Sequence, residues 1–361
     1  MSTLNVTQIK NPDAASPALT LNTDGSVDIA ISALSSGPLA GFRNAIINGN
    51  FDFWIRGTSG FTTAGYGADR WKWNRLGSTF SGSRQAFTLG QADVPGEPTY
   101  YIRTVVTSVT GASNTVFLEQ PIEGVRTYAG QSITVSFYAK ADASKSLAIE
   151  LYQTFGSGGT ASTFVTADAT KVSLTTAWTK YTVTATLPSI SGKTLDGGDD
   201  YLSLRFYFDA GSSYNARTDT LGHQSGTFDI AQVQLEPGYI ATIFERRHPG
   251  VELALCQRYY YKSEDTNGFL FRASQGGPLG RNLTGPIHHF PTTMRDVPNI
   301  AYTDAVGNAN RWTVGSSNNI AIASGSVTVN PSFVRADIGF GSIGQDYAAA
   351  AAHNFTASAE L

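Results

Sequence analysis

The chain has 361 residues, with Lys+Arg 25 against Asp+Glu 28, a formal net charge of −3, and only 15% charged against 41% hydrophobic residues. A weakly acidic chain has no general attraction for phosphate backbones, which argues against a nucleic-acid partner. With no run of roughly 18 apolar residues there is no expectation of membrane insertion, and the single cysteine, Cys256, excludes an intrachain disulfide or a thiolate metal cluster. The 37 glycines, 20 phenylalanines and 16 tyrosines belong to β-sheet architectures with many tight turns. At ~100–200 residues per domain, two or three domains are expected.

The elements, in chain order, begin with an arm over residues 1–43, rich in Ser, Thr, Ala and Asn. Its opening lacks a basic segment leading into an apolar one, so no secretory signal is expected. Within it Leu19 and Leu21, then Thr23-Asp24-Gly25-Ser26, then Val27, Ile29 and Ile31 alternate about an Asp-Gly turn, the pattern of a β-hairpin. An isolated two-stranded hairpin is marginal in water. The arm is therefore either a loose tail or a segment that intertwines with its copies or docks on a larger assembly.

Residues 44–245 predict an antiparallel jelly-roll sandwich, with period-2 strands at Tyr100–Thr107, Ser132–Ala139, Leu147–Phe155, Lys180–Leu187, Tyr201–Phe208 and Phe228–Leu235. Gly/Ser turns separate them, and no helical pattern intervenes. Residues 246–262 change period: Pro249 suits a helix start, and Val251, Leu255 and Tyr259 make one stripe of a short amphipathic helix over about 249–258. A smaller C-terminal β-domain is expected over 263–361, with strands near Gly268–Ala273, Gly285–Phe290, Asn299–Thr303, Asn310–Val314, Asn318–Ala323, Ser326–Val329 and Ser332–Phe340. Ala348–Ala352 is compatible with strand or helix. The fold class is all-β.

The segments bounding the central block carry a resemblance. It opens with Asn44-Ala45-Ile46-Ile47-Asn48-Gly49-Asn50-Phe51-Asp52-Phe53-Trp54 and Gly65-Tyr66-Gly67-Ala68-Asp69-Arg70-Trp71-Lys72-Trp73. It closes with Val233-Gln234-Leu235-Glu236-Pro237-Gly238-Tyr239 running to Phe244-Glu245-Arg246-Arg247, then Glu252 to Tyr260. Over about residues 44–262 this resembles bacteriophage fibre and receptor-binding proteins whose middle domain is a carbohydrate-binding-module-like jelly roll. The family usually has Pro where Ile243 stands, which alters one turn. The resemblance implies a virion component, exposed on the particle, forming a homotrimer and contributing to host attachment. The N-terminal arm would hold it to other virion proteins, and host-surface glycan would be its ligand. Two other roles stay open: a capsid decoration, head-fibre or adaptor protein, and a polysaccharide-degrading fibre.

Enzymatic motifs are weak, and no enzyme activity is expected. Gly339-Phe340-Gly341-Ser342-Ile343-Gly344 matches a dinucleotide loop, but no βαβ unit follows. His288 and His289 are adjacent and point to opposite faces of a strand. A glycosidase needs two carboxyl groups ~5–10 Å apart, and Asp196, Asp199 and Asp200 or Glu264-Asp265 are the clusters to weigh. Jelly-roll carbohydrate modules similar to this block often hold a structural calcium, for which Asp229 matches the closing-strand position and Asn50 or Asp52 the opening one; no other cofactor is expected. Sugar faces stack on aromatic rings, which nominates Trp71 and Trp73 (a sugar platform or core anchors), Tyr152, Tyr207, Tyr214 and Trp312.

Overall fold

In the computed structural model, residues 41–263, 287–303, 324–339 and 354–361 are described, together with shorter strand segments between 8 and 29 and between 269 and 352. The chain is all-β, with two short helices among the described residues. The arm carries β1 (Gln8–Ile9), β2 (Leu19–Leu21) and β3 (Val27–Ile29). Leu19 pairs with Ile29 and Leu21 with Val27, so the hairpin expected around Asp24-Gly25 forms. Ile31 lies outside the described residues, and Leu21 is exposed.

Strands β4 (Gly65–Tyr66), β5 (Lys72–Leu76), β6 (Thr79–Ala86), β7 (Tyr100–Thr107), β8 (Thr115–Glu123), β9 (Ser132–Ala141) and β10 (Lys145–Thr154) open a two-sheet sandwich. β11 (Val165–Thr166), β12 (Thr170–Leu174), β13 (Thr179–Thr186), β14 (Tyr201–Ala210) and β15 (Gly226–Pro237) complete it. One sheet runs β11-β10-β14-β8-β5-β4 with β12 beside β10; the other runs β13-β9-β15-β7-β6. From β7 onward the path crosses repeatedly between the sheets, which is a jelly-roll winding. Alternation decides each face: in β9, Ile133, Val135, Phe137 and Ala139 turn into the core, where they meet Leu204 and Phe206 of β14.

Trp71 and Trp73 are the largest side chains of this core, both 0% exposed. Trp73 donates its indole N–H to Thr104 Oγ1 at 2.9 Å and stacks on Phe61 and Phe80; Trp71 stacks on Phe206. They are core anchors, not a sugar platform, because no ring face is left to solvent. Gly82 lies so close to Trp73 that a Cβ there would meet the ring at 2.6 Å.

Helix α1 (Asn215–Thr218) is a single turn after β14, and α2 (Pro249–Gln257) follows the sandwich, capped by His248 with Pro249 in its first turn. The expected stripe holds at its last member only: Tyr259 is buried and Leu255 half-buried, whereas Val251 is exposed and Cys256 is buried in its stead. The later strands form three antiparallel sheets among the described residues. One joins Tyr260–Lys262, Asn354–Ser358 and Asn299–Thr303. A second brings Phe269–Arg272 against Ala349–Ala352, which is therefore strand, with Trp312–Val314 and Ser317–Ile320. The third is built on Phe333–Gly339.

The two regions meet through charge. Arg70, 1% exposed, pairs with Glu360, donates to the Pro121 carbonyl, and lies 3.5 Å from the centre of the Tyr259 ring. Arg56 bonds Glu360 at 3.1 Å and covers Tyr260 at 3.5 Å. Tyr66 donates its hydroxyl to the Leu361 carbonyl at 2.7 Å.

Candidate functional site

The outer face of the larger sheet collects charged and aromatic side chains. On β14, Leu202, Leu204 and Phe206 point into the core, so Tyr201, Ser203, Arg205 and Tyr207 point the other way. The same parity turns Glu150 and Tyr152 of β10 and Phe117 and Glu119 of β8 outward. Register places Glu119 and Glu150 on either side of Arg205. Arg205 donates to Glu119 at 2.7 Å and reaches Glu150 at 3.5 Å. From α1, Arg217 closes on Glu150 with two bonds of 2.6 and 2.8 Å, and Tyr207 donates to Glu150 at 3.0 Å. Burial works against the Arg205 charge, but Glu119, Tyr207 and Glu150 outweigh it and hold the guanidinium above its ordinary value. Burial, then Glu150, likewise pushes the Tyr207 hydroxyl well up, so it serves as a fixed donor.

Above this network lies an aromatic layer. Arg205 sits 3.7 Å from the centre of the Tyr152 ring, and Tyr152 stacks on Phe164 at 4.7 Å and 29°. Arg217 is 5.4 Å from each of Tyr152, Phe164 and Tyr214. Three of the nominated aromatics, Tyr152, Tyr207 and Tyr214, thus converge on one face. Tyr207 is at its buried floor, while Tyr152 and Tyr214 are half-buried and Phe164 is 47% exposed. Chemically this is a rigid surface of stacked rings with charge-assisted donors and acceptors beside them. Phe164, Glu150 and Arg217 were not nominated from sequence. They come from separate segments and acquire meaning only when the sheet pairs. The Trp312 side chain lies outside the described residues.

The calcium set is not assembled. Asp229 takes two bonds from Arg103, at 2.7 and 2.8 Å, and lies 3.9 Å from Lys140. Asn50 and Asp52 bond each other at 2.9 Å, elsewhere in the domain. A carboxylate neutralised by a guanidinium does not fit as a calcium ligand, and no group of three His, Cys, Asp or Glu able to hold a metal occurs among the described residues. Asn50 instead lines a small cleft with Asn48, Glu245, Arg247 and Glu252, where the opening and closing motifs meet.

Two polar clusters have the composition of catalytic sites without the geometry. Ser108 Oγ and His223 Nδ1 both lie on Asp209 Oδ1, at 2.7 and 3.0 Å, while His223 Nε2 faces Gly111. A nucleophile-base-acid relay needs serine and carboxylate on different ring nitrogens. Asp196 and Asp199 accept from the backbone N–H of Thr160 and Ser157, and Asp200 from that of Val125, so this aspartate group fastens loops. Glu264-Asp265 and residues 340–344 lie outside the described residues. His288 is half-buried and His289 exposed, as opposite strand faces require.

No family model matches the chain, and no curated protein matches it. Among solved structures, a CBM4 carbohydrate-binding module is 18% identical and covers 53% of this chain and 98% of its own, with a TM-score of 0.30. A family 11 carbohydrate-binding module from Clostridium thermocellum, in complex with a β-1,3-1,4-mixed-linked tetrasaccharide, is 12% identical, with coverages of 52% and 99% and a TM-score of 0.30. The enzymatically active domain of tailspike protein 4 of bacteriophage CBA120 is 12% identical, covering 54% of this chain and 22% of that one, with a TM-score of 0.32. These are similarities over about half of the chain.

Proposed function

We propose that this chain is a virion fibre subunit without enzymatic activity, a homotrimeric adhesin held to the particle by residues 1–43 that binds host-surface glycan. The observation that carries the glycan reading is the half-exposed Tyr152–Phe164 stack with Arg217 beside it, a rigid ring surface flanked by hydrogen-bonding groups. Saccharides are held in this way, the ring offering an apolar face and the polar neighbours taking the hydroxyls. Association of copies is supported at the root of the arm. Phe42 (69% exposed) and Ile243 (69%) stand on two segments joined there by bonds from Phe42 N–H to Glu245 and from Arg43 to the Ile243 carbonyl. Tyr239, 75% exposed, belongs to the same loop. Large apolar side chains left in water mark interaction surfaces, and a hairpin that is marginal alone gains stability from a shared one.

A purely structural role, as capsid decoration, head-fibre or adaptor, is favoured by one observation: Glu150 and Tyr207 are 0% exposed and satisfied within the chain. An array of bacterial surface polysaccharides probed with the full chain and with Tyr152→Ala/Phe164→Ala separates the two. The adhesin reading expects saccharide binding by the full chain and at least a tenfold loss in the variant, with melting shifted by no more than a few degrees. No saccharide bound, or equal binding by the variant, refutes it. Sedimentation as a folded monomer at micromolar concentration refutes the trimer.

A further inference from the structure

The opposite face of the sandwich, on the smaller sheet, carries a second aromatic group that the function above does not use. Phe87, Tyr101 and Trp178 pack mutually, with ring centres 4.8 Å (Phe87–Tyr101), 5.2 Å (Phe87–Trp178) and 5.1 Å (Tyr101–Trp178) apart, the last pair edge to face at 82°. All three are half-buried. Their parity explains why. In β13, Tyr181 and Val183 turn to the core, so Lys180 and Thr182 face solvent, and Trp178, two residues before Lys180, continues the solvent side. In β7 the core takes Ile102 and Val106 and leaves Tyr101, Arg103 and Val105 outside.

Register extends this group into a row across the whole sheet. Ser83 of β6 is opposite Arg103 of β7, Arg103 is opposite Asp229 of β15, and Asp229 is opposite Lys140 of β9. Ala139 pairs with Thr179, which brings Trp178 beside Lys140, and the ammonium lies 5.2 Å from the centre of the indole. Four strand spacings of ~4.8 Å give a row about 19 Å long. Along it Arg103 and Lys140 are 31% and 29% exposed, whereas Asp229, the one carboxylate they share, is 4% exposed. One buried anion answers two partly exposed cations, so the row shows solvent a net positive charge beside a tryptophan face.

We infer that this row is a second saccharide-binding surface, distinct from the Tyr152 face, and that it takes an acidic glycan. A sugar ring stacks on Trp178, and uronate carboxylates along the chain meet Lys140 and Arg103. The indole supplies contact area at little conformational cost, the Phe87 and Tyr101 rings fix its orientation, and the cations select for acid. Binding runs across the strands, along the direction of the row.

Calorimetric titration of the full chain with a tetrameric galacturonide and, in parallel, with cellotetraose tests this. The galacturonide is expected to bind at least tenfold more tightly than the neutral tetramer, and less tightly as salt rises from 50 to 500 mM. Trp178→Ala should lower the galacturonide affinity at least tenfold and Lys140→Met about fivefold. Tyr152→Ala, on the other face, should leave it unchanged, so failure of one surface is told apart from failure of the other. Should Trp178→Ala melt more than 5 °C lower, Trp178→Leu, which keeps an apolar side chain but no stacking ring, and Lys140→Met decide in its place. The inference is overturned if the galacturonide does not bind, if the two tetramers bind equally, or if correctly folded Trp178 and Lys140 variants bind like the parent.

Discussion

Glu360→Gln removes one charge from the junction between the sandwich and the C-terminal strands, and its effect follows from how deeply its partner is buried. The Arg70 guanidinium is 1% exposed and has three supports: the Glu360 carboxylate, the Pro121 carbonyl and the Tyr259 ring. Removing one member of a buried ion pair costs about 3–5 kcal/mol, because the remaining charge stays desolvated. Two supports survive here, and a cation over an aromatic face in a desolvated site retains ~2 kcal/mol. The lower end, about 3 kcal/mol, is therefore expected. At ~2–4 °C per kcal/mol for a unit of this size, melting should fall by about 6–12 °C. Scanning calorimetry measures it, and a double-mutant cycle with Arg70→Met isolates the pair. The double variant should be more stable than the sum of the single losses implies, by at least ~1 kcal/mol, since it leaves no stranded charge. A Glu360→Gln protein melting within 1 °C of the parent, or strictly additive losses, would show that the junction is held by something other than this pair.

Two other perturbations are informative. Burial pushes the Asp69 carboxyl up from 3.8 to about 6, with the Ile55 N–H and Arg56 opposing. The folded state therefore keeps this proton over a pH range in which the unfolded chain has lost it. That contribution is fully present below about pH 4 and is lost as pH rises through about 6, amounting to about 3 kcal/mol at ~1.4 kcal/mol per pH unit. Asp69→Asn should remove this component, so the stability difference between variant and parent, from urea unfolding at pH 5 and pH 7.5, should change by about 1.4 kcal/mol in favour of the variant at the higher pH, the rest of the loss falling below pH 5. A constant difference would refute it. Gly49→Ala places a Cβ 2.1 Å from the Val233 carbonyl oxygen, a backbone atom that cannot step aside. Loss of at least ~3 kcal/mol, or failure to accumulate as soluble protein, is expected; a parent-like urea midpoint would mean that β15 moves freely there.

Strands with clean alternation were legible: β7 was expected at Tyr100–Thr107 and is found there, and β9 and β14 run two residues beyond the expected ends. β6 was not, because Thr-Phe-Ser-Gly-Ser-Arg-Gln-Ala has one large core residue, Phe80, and gives its second inward position to Gly82, vacated for Trp73. β8 was missed for a different reason. Glu119 and Gln120 are both buried, since its outer face is covered by Arg205 and its inner side answers the backbone of Ile47, so the sequence carries no polar-apolar alternation. The opposite faces of the sandwich differ in the same way. Tyr152, Tyr207 and Tyr214 could be nominated as aromatics, but nothing local distinguishes buried Tyr207 from half-exposed Tyr152 until α1 lays Arg217 across them. Trp178 does carry a signal in the sequence, an aromatic at the solvent-facing parity of a polar strand face. Trp71 and Trp73 have the same spacing whether they meet solvent or core; the surrounding Phe61, Phe80 and Phe206 decide it.

Strand β15 has a consequence for how the molecule comes to be folded. Its register shifts between Ala231 and Gln234, and beyond that point the edge no longer occupied by β7 is taken by the opening motif: Ala45 donates to the Leu235 carbonyl and Val233 to that of Gly49. The Asn44 side chain bonds the same strand across 189 and 191 residues. The sandwich is thus closed by its two extremes, and loop-closure entropy over such separations makes acquisition of the native state slow. Until that zipper shuts, the core lacks Ile46, Phe51 and Trp54, which the opening motif contributes to it. During synthesis, then, the ribosome must deliver some two hundred residues before the first dozen of the domain have anywhere to go, and chaperone demand should peak in that interval.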